Sequence, residues 1–401
     1  MPRTTGRQGS VMIYLDAAAT APARREVLEE MWPLLTTTFG NPSSHHTYGE
    51  AAAAAFSSAR ARLAAVLGCR PSEIVITSGG TEANNLALKG IALASPRGRH
   101  IVTSAIEHAA VAEVLRYLQD AHGFRITELP VSPTGLVAVA DLEAALQADT
   151  TLCTVMYANN EVGTVQDVAA LADVCRNRNV PFHTDAVQAA GWLPVDVGRL
   201  GVTALSLSGH KLGTPKGVGL LYLRSGTRCE PVLHGGGQER GRRSGTENVA
   251  GAVGLARALE LAQQALPAAA DASSWARDAF IARILAGVPG AVLTGDAEAR
   301  LPNLASFCFP GVSGEAVLLE IERRGVTCSS GSACAAGSNE PSAVLLALGL
   351  DAGTALSAVR LSWMQGTART DLEEAARAVV ASVHAVLALG AARPAPDLAP
   401  A

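Results

Sequence analysis

Charge is scarce in this chain: Asp, Glu, Lys and Arg make up 17% of 401 residues, no block of one sign stands out, and the formal net charge is −4. Without a basic stripe, nucleic acid is not the expected main ligand. With 48% hydrophobic residues, the composition is that of a globular chain and not a disordered one. Long apolar runs are missing too, none approaching the roughly 20 residues that a membrane-spanning helix needs. Met1 to Ser10 carries arginines but no apolar segment of the secretory kind. Residues 1–12 are therefore expected to form a disordered lead, and the protein to be cytoplasmic. The seven cysteines (69, 153, 175, 229, 308, 328 and 334) are scattered, odd in number and without the close spacing of a zinc site. Disulfides are not expected in a reducing cytosol. Cys153 and Cys308 lie in apolar strand-like runs and read as small buried hydrophobes.

What the chain does have is an alternation of strands and helices. Strands are expected over 73–78, 101–104, 151–158, 180–185, 204–208 and 218–223. Helices are expected over 50–67, 83–94, 109–121, near 139–147 and over 168–177. Near-continuous apolar strands separated by helices indicate an α/β fold whose sheet is mostly parallel and covered on both faces. A long helix over about 250–265 closes a large domain, 13–265. Residues 266–390 read as a smaller α+β domain, with strands at 303–309 and 358–364, a helix at 314–323 and an amphipathic helix at 371–389. The Ala- and Pro-rich 391–401 is expected to be a disordered tail.

Several reactive or polar residues fall at strand ends, where open α/β sheets hold ligands. Lys211 ends the run Leu205-Ser206-Leu207-Ser208-Gly209-His210-Lys211 and is followed by Gly213, Pro215, Gly217 and Gly219. A lysine used for Schiff-base chemistry needs such a partly desolvated, electropositive place; a surface lysine in a glycine-rich loop is the competing account. Gly79-Gly80-Thr81-Glu82, between a strand and a helix, has the form of an anion site, and N-capping by Thr81 is compatible with it. His108 opens a helix, as a cofactor-facing ring or as a cap. Asn160 in the Asn159-Asn160 pair could bind a ligand or serve a turn. Asp185 ends a buried strand, where a bare carboxylate is costly; a protonated pyridine nitrogen or a helix start would each satisfy it. The donor-rich loop 234–248 is long enough to be functional. Segment 328–341 is small and polar, so it should be mobile, and an exposed Cys334 within it suggests a reactive thiol.

Taken together, the motifs resemble the NifS/IscS-type cysteine desulfurases, which are class V, fold-type I pyridoxal-phosphate enzymes. The carriers are Phe39-Gly40-Asn41-Pro42-Ser43-Ser44, residues 77–85, Glu107-His108, Asn159-Asn160-Glu161-Val162-Gly163, residues 183–188, Ser208-Gly209-His210-Lys211, Arg243-Ser244-Gly245-Thr246 and Ser329-Ser330-Gly331-Ser332-Ala333-Cys334. The resemblance runs in order from about Tyr14 to Leu389, and the cysteine segment is similar to that of the group I members. It implies a seven-stranded, mixed but mostly parallel sheet in the large domain.

The resemblance also implies roles. Lys211 would carry pyridoxal 5'-phosphate as a Schiff base and then act as base. Asp185 would hold the pyridinium N–H, His108 would stack on the ring and move protons, and Gln188 would meet the phenolic oxygen. Gly80, Thr81, Ser208, Gly209 and His210 would seat the cofactor phosphate, with Thr246 reaching across from the second subunit of a homodimer. Arg360, Asn41 and Asn160 would hold the substrate carboxylate, Asn160 also lying near the cofactor. Cys334 would take sulfur from L-cysteine as a persulfide, leaving alanine, and pass it to an iron–sulfur scaffold or a tRNA-thiolation protein. It would also be the one metal contact, as a transient iron–sulfur ligand. A selenocysteine lyase, another class V lyase and an inactive partner-binding homologue are the alternatives. Gln238 stands where many relatives have histidine, and Cys328, outside the usual motif, is either buried or a resolving thiol.

Overall fold

A computed structural model describes residues 12–94, 96–331 and 340–391 of the chain. Its strands are β1 (Ile13–Tyr14), β2 (Ile74–Thr77), β3 (His100–Ser104), β4 (Arg125–Leu129), β5 (Thr150–Thr154), β6 (Phe182–Asp185), β7 (Ala204–Ser208), β8 (Gly219–Leu223), β9 (Val292–Leu293), β10 (Leu304–Cys308), β11 (Val326–Thr327) and β12 (Ala358–Ser362). The main sheet has seven strands in the order β2-β8-β7-β6-β5-β3-β4. Only β8 runs antiparallel to its neighbours, so the sheet is mixed and mostly parallel. Successive residues feed opposite cores. Ile74 and Ile76 pack with Phe56, Leu63 and Leu255, whereas Val75 packs with Leu86, Val111 and Leu115. Burial on both faces explains why these strands read as continuous apolar runs.

Strand β4 was not anticipated. It is an edge strand, Arg-Ile-Thr-Glu-Leu, in which only Leu129 is buried, and a charged edge lacks the apolar signature of the inner strands. The helix expected over 250–265 runs much further, from Val249 to Gly287, 39 residues with Pro267 inside. A proline removes one backbone bond but need not end a helix that packs on both sides of it. Here Leu255 and Leu259 sit in the larger core, and Phe280 and Ile284 in a smaller one. Residue 265 therefore falls within one continuous helix.

The smaller core gathers Leu15, Phe280, Phe307, Val359, Trp363 and Val379. It is built on the antiparallel sheet β12-β10-β9 and on β1, which pairs in parallel with β11. Residues from the start of the chain thus pack with residues beyond 280. Among the described residues, no helix is long and apolar enough to cross a membrane.

Candidate active site

The carboxyl ends of β3, β6 and β7 open on one edge of the main sheet, and the reactive residues lie there. After Ser208 the chain makes one tight 3₁₀ turn, Gly209–Lys211. Gly209 is required in it, since a Cβ there would stand 2.3 Å from Thr214 Oγ1. Lys211 leaves this turn half-buried, its amine donating to the carbonyls of Ala18 and, at 2.6 Å, Ala19. Gln188 Nε2 donates to the same Ala18 oxygen at 3.0 Å. Lys211 and Gln188 also line a cavity of about 460 Å³, together with Arg24, Trp192 and Trp363. His210 Nδ1 meets Thr20 Oγ1 at 3.0 Å, and burial, with Lys211 and Lys216 nearby, pushes its pKa down to about 4. The His210 imidazole is therefore neutral at physiological pH.

Asp185 ends β6 with its carboxylate buried and held on both sides. Asn84 Nδ2 donates to Oδ2 at 2.6 Å, and the Val187 N–H to Oδ1 at 2.9 Å. No helix starts after it, so the capping alternative for Asp185 is not realised. Two residues earlier, His183 is clamped between Thr154 Oγ1 at 2.8 Å and Ser206 Oγ at 2.9 Å, and burial lowers its pKa to about 3.

The helix Gly80–Ala94 begins at the end of β2. Its first internal bond runs from Ala83 N to Gly79 O, so the N–H groups of Gly80, Thr81 and Glu82 face outward from its positive end. Thr81 lies inside the first turn and does not cap it. Glu82 reaches back instead, accepting from Ser78 N at 2.7 Å. A Cβ on Gly80 would be 2.8 Å from Val187 Cγ2 and 3.4 Å from Ser208 Cβ. The helix start, Val187 two residues after Asp185 and the end of β7 thus meet at one point.

His108 caps the helix Ala109–His122, its Nδ1 accepting from Ala110 N at 3.0 Å, which leaves Nε2 as the nitrogen turned away from the helix start. Beside it, Glu107 was missed as a functional group. Its carboxyl is enclosed, with Oε1 accepting from Ser104 Oγ at 2.6 Å and Met156 N at 2.9 Å and Oε2 buried without a partner. Burial, with the Asp185 charge adding to it, pushes its pKa up to about 8. The unfolded chain ionises Glu107 first, so this group costs stability as pH rises from about 4.5 to 8 and nothing further above that. Glu107→Gln keeps the accepting oxygen and removes the titration. Its unfolding free energy is expected to gain on wild type by roughly 3 kcal/mol between pH 5 and 8, at about 1.4 kcal/mol per pH unit. Denaturant titrations of both proteins across that range check this; a constant offset would contradict it.

Arg360 lies on β12 and is 2% exposed. Its Nη2 donates to Asp16 Oδ1 at 2.9 Å, and its Nη1 to the carbonyls of Asn160 at 2.9 Å and Gly331 at 3.3 Å, while Nε is buried and has no partner among the described residues. Asp16 was not foreseen: nothing in Tyr14-Leu15-Asp16 signals a partner 344 positions away. Asn41 Oδ1 accepts from Ser43 N at 2.9 Å, within its own turn. The loop 234–248 is pinned by a bidentate buried pair, Arg60 to Glu239 at 2.8 Å on both oxygens, and by Arg243 to Glu82 at 2.9 Å. Gln238 braces it from within, accepting from Gly245 N at 2.9 Å. Thr246 is exposed on this loop.

Cys334 lies outside the described residues. Cys328 packs against the smaller core, and burial pushes its thiol up to about 12. Cys153 and Cys308 are fully buried. Among the described residues, no group of His, Cys, Asp and Glu could hold a metal ion.

A parallel-rich sheet with a lysine just past one strand and a buried aspartate on the next defines a class, and residues 13–374 match the family Aminotransferase class-V. The chain is 45% identical over 361 residues to a protein of Dictyoglomus turgidum named cysteine desulfurase IscS, covering 90% of this chain and 91% of that one. It is 44% identical to one of the same name from Methanosarcina thermophila, over 87% of this chain and 86% of that one. Among solved structures, a NifS-like protein superposes with a TM-score of 0.87 at 36% identity, over 93% of this chain and all of that one. SspA in complex with cysteine gives 0.77, also at 36% identity, over 89% of this chain and all of that one. The chain belongs to the class V aminotransferase family, in its branch of NifS/IscS-type cysteine desulfurases.

Enzymes of this family depend on pyridoxal phosphate, and the residues present fit such a group. An amine, an anion fixed on both oxygens by N–H donors, and a helix start with outward N–H groups all face one sheet edge.

Proposed function

We propose that this enzyme converts L-cysteine to L-alanine and keeps the sulfur as a persulfide on Cys334. The reading is carried by the Lys211 amine just past β7 and the fixed Asp185 carboxylate at the end of the neighbouring strand β6, in a chain 45% identical to a named cysteine desulfurase.

Bound at this edge, pyridoxal phosphate would supply an electron-accepting ring for the charge left when the substrate α-proton departs. Lys211 would hold the group through its amine and would take the proton from the substrate α-carbon as general base. The Asp185 carboxylate would keep a proton on the ring nitrogen. Gly80, Thr81, Ser208, Gly209 and His210 would seat the phosphate, with backbone N–H groups and the helix dipole favouring its charge. His108 would stack on the ring and move protons, and Gln188 would meet the phenolic oxygen. Arg360 orients the substrate carboxylate with Asn41 and Asn160, a planar guanidinium matching a planar anion; the incoming carboxylate shares that guanidinium with Asp16. The Cys334 thiolate then attacks the substrate sulfur. An S–S bond forms and the C–S bond breaks, with its electron pair remaining on the β-carbon and taking up a proton. The balance is L-cysteine plus Cys334 thiol giving L-alanine plus Cys334 persulfide. A sulfur-acceptor protein of iron–sulfur assembly or tRNA thiolation consumes that persulfide.

A second copy of the chain completes the site. Thr246 is exposed on its pinned loop, and Trp32, Leu35, Phe39 and Tyr48 are exposed near Asn41, where a partner would cover them. Sedimentation is expected to give a dimer; a monomer that retains cofactor tightly would contradict this.

The deciding experiment is turnover with L-cysteine and L-selenocysteine side by side, following alanine and the mass of Cys334. Equimolar alanine and persulfide from cysteine is the expected result. Turnover of selenocysteine alone assigns a selenocysteine lyase instead.

A further inference from the structure

Glu161 follows Asn160 in the turn after β5, and the chemistry above gives it no task. Its carboxyl is nonetheless largely enclosed. Oε2 accepts from Ser342 Oγ at 2.5 Å. The same carboxyl closes on Gly331, where a Cβ would stand 3.0 Å from Oε2 and 3.3 Å from Glu161 Cβ. In sequence, Gly331 and Ser342 flank the segment that contains Cys334.

Both flanks are tied down again nearby. Ser329 and Arg360 exchange two backbone bonds, at 2.7 and 3.2 Å, and Arg360 Nη1 reaches the Gly331 carbonyl at 3.3 Å. Ser342 caps the helix Ala343–Ala347, accepting from Leu345 N at 3.2 Å. Arg360 Nη1 also takes the Asn160 carbonyl, at 2.9 Å. The dipeptide Asn160-Glu161 therefore holds Arg360 and Ser342 directly, and Gly331 through Arg360. Burial raises the proton affinity of Glu161, against the Ser342 hydrogen bond and the Arg360 charge, which lower it.

We infer that Glu161 is a positioning residue that fastens the Ser342 flank of the Cys334 segment to the turn holding Arg360, whose guanidinium holds the Gly331 flank. The inference rests on the desulfurase reading. Arg360 sets where the substrate carboxylate lies, and Glu161 holds a flank of the segment that carries the attacking thiol, so one dipeptide ties the anchor of the substrate to that segment. Flanks bonded to Glu161 and Arg360 keep the anchor points of the segment next to the substrate carboxylate. Loosening them costs rate, since reacting groups misplaced by about 1 Å can lose a hundredfold.

The test is single-turnover persulfide formation on Cys334, read by mass spectrometry in the holoenzyme with L-cysteine. The substrate-induced change in cofactor absorbance serves as the parallel readout. Glu161→Ala is expected to slow persulfide formation about tenfold or more while the absorbance change is kept. Glu161→Gln, which preserves an accepting oxygen for Ser342, stays within about threefold of wild type. Gly331→Ala crowds the same carboxyl from the other side, its Cβ 3.0 Å from Oε2, and is expected to slow the same step severalfold, so the inference remains testable if Glu161→Ala does not fold. A Glu161→Ala rate equal to wild type overturns the inference. So does a glutamine variant as slow as alanine, or loss of the absorbance change along with the rate. Absence of persulfide in wild type would instead defeat the desulfurase reading itself.

Discussion

Lys211→Ala is expected to fold and to lose turnover by at least about 10⁴-fold, because one amine both tethers the cofactor and serves as the base. The purified variant should also lack the visible absorbance of the tethered group. Folding survives on physical grounds. The Lys211 amine donates to two backbone carbonyls, Ala18 and Ala19, at a half-buried edge, and one of these keeps a second donor in Gln188. Losing such hydrogen bonds costs about 1 kcal/mol each. Alanine production and the absorbance spectrum check the expectation. Turnover within tenfold of wild type would remove Lys211 from the chemistry.

Cys334→Ser should bind cofactor and cysteine, show the substrate-induced absorbance change, and form neither persulfide nor sulfide at a measurable rate. A serine hydroxyl is not ionised at neutral pH and is a weak nucleophile unless a base activates it. The other cysteines offer poor substitutes. Burial pushes Cys69 up to about 12, Cys229 and Cys308 to about 11, Cys328 to about 12 and Cys153 well above its ordinary value. Thiols held protonated do not attack sulfur, since the thiolate is the nucleophile. Mass spectrometry of the protein and a sulfide assay read the outcome; wild-type sulfide release would falsify the assignment of Cys334.

Much of this site is readable along the chain because it sits where the chain changes character. Glycines beside Lys211 and ahead of the helix Gly80–Ala94 mark tight turns at strand ends, and the inner strands declare themselves by unbroken apolar runs. The edge strand β4 does not, since its charged residues meet solvent. Pro267 reads as a stop, yet the helix passes through it, held at both ends by different cores. The supporting residues are harder to see. Asn84 is a buried amide on an apolar helix face, and that breach of pattern is its only signal. Asp16, Glu107 and Glu161 act through partners distant in sequence, at Arg360, Met156 and Ser342. Periodicity carries no information about such pairs.

The pairing of β1 with β11 has a consequence for biosynthesis. Ile13 aligns with Val326, and Asp16 bridges to Ser362, so residues 13–16 must wait for β11 and β12 before they find their places. Pairings of such long separation form late. The carbonyls that meet the Lys211 amine and the carboxylate that meets Arg360 come from that waiting stretch. A ribosome-bound chain stopped short of β12 therefore carries its lysine without its arginine, and competence arrives only once β12 has been made.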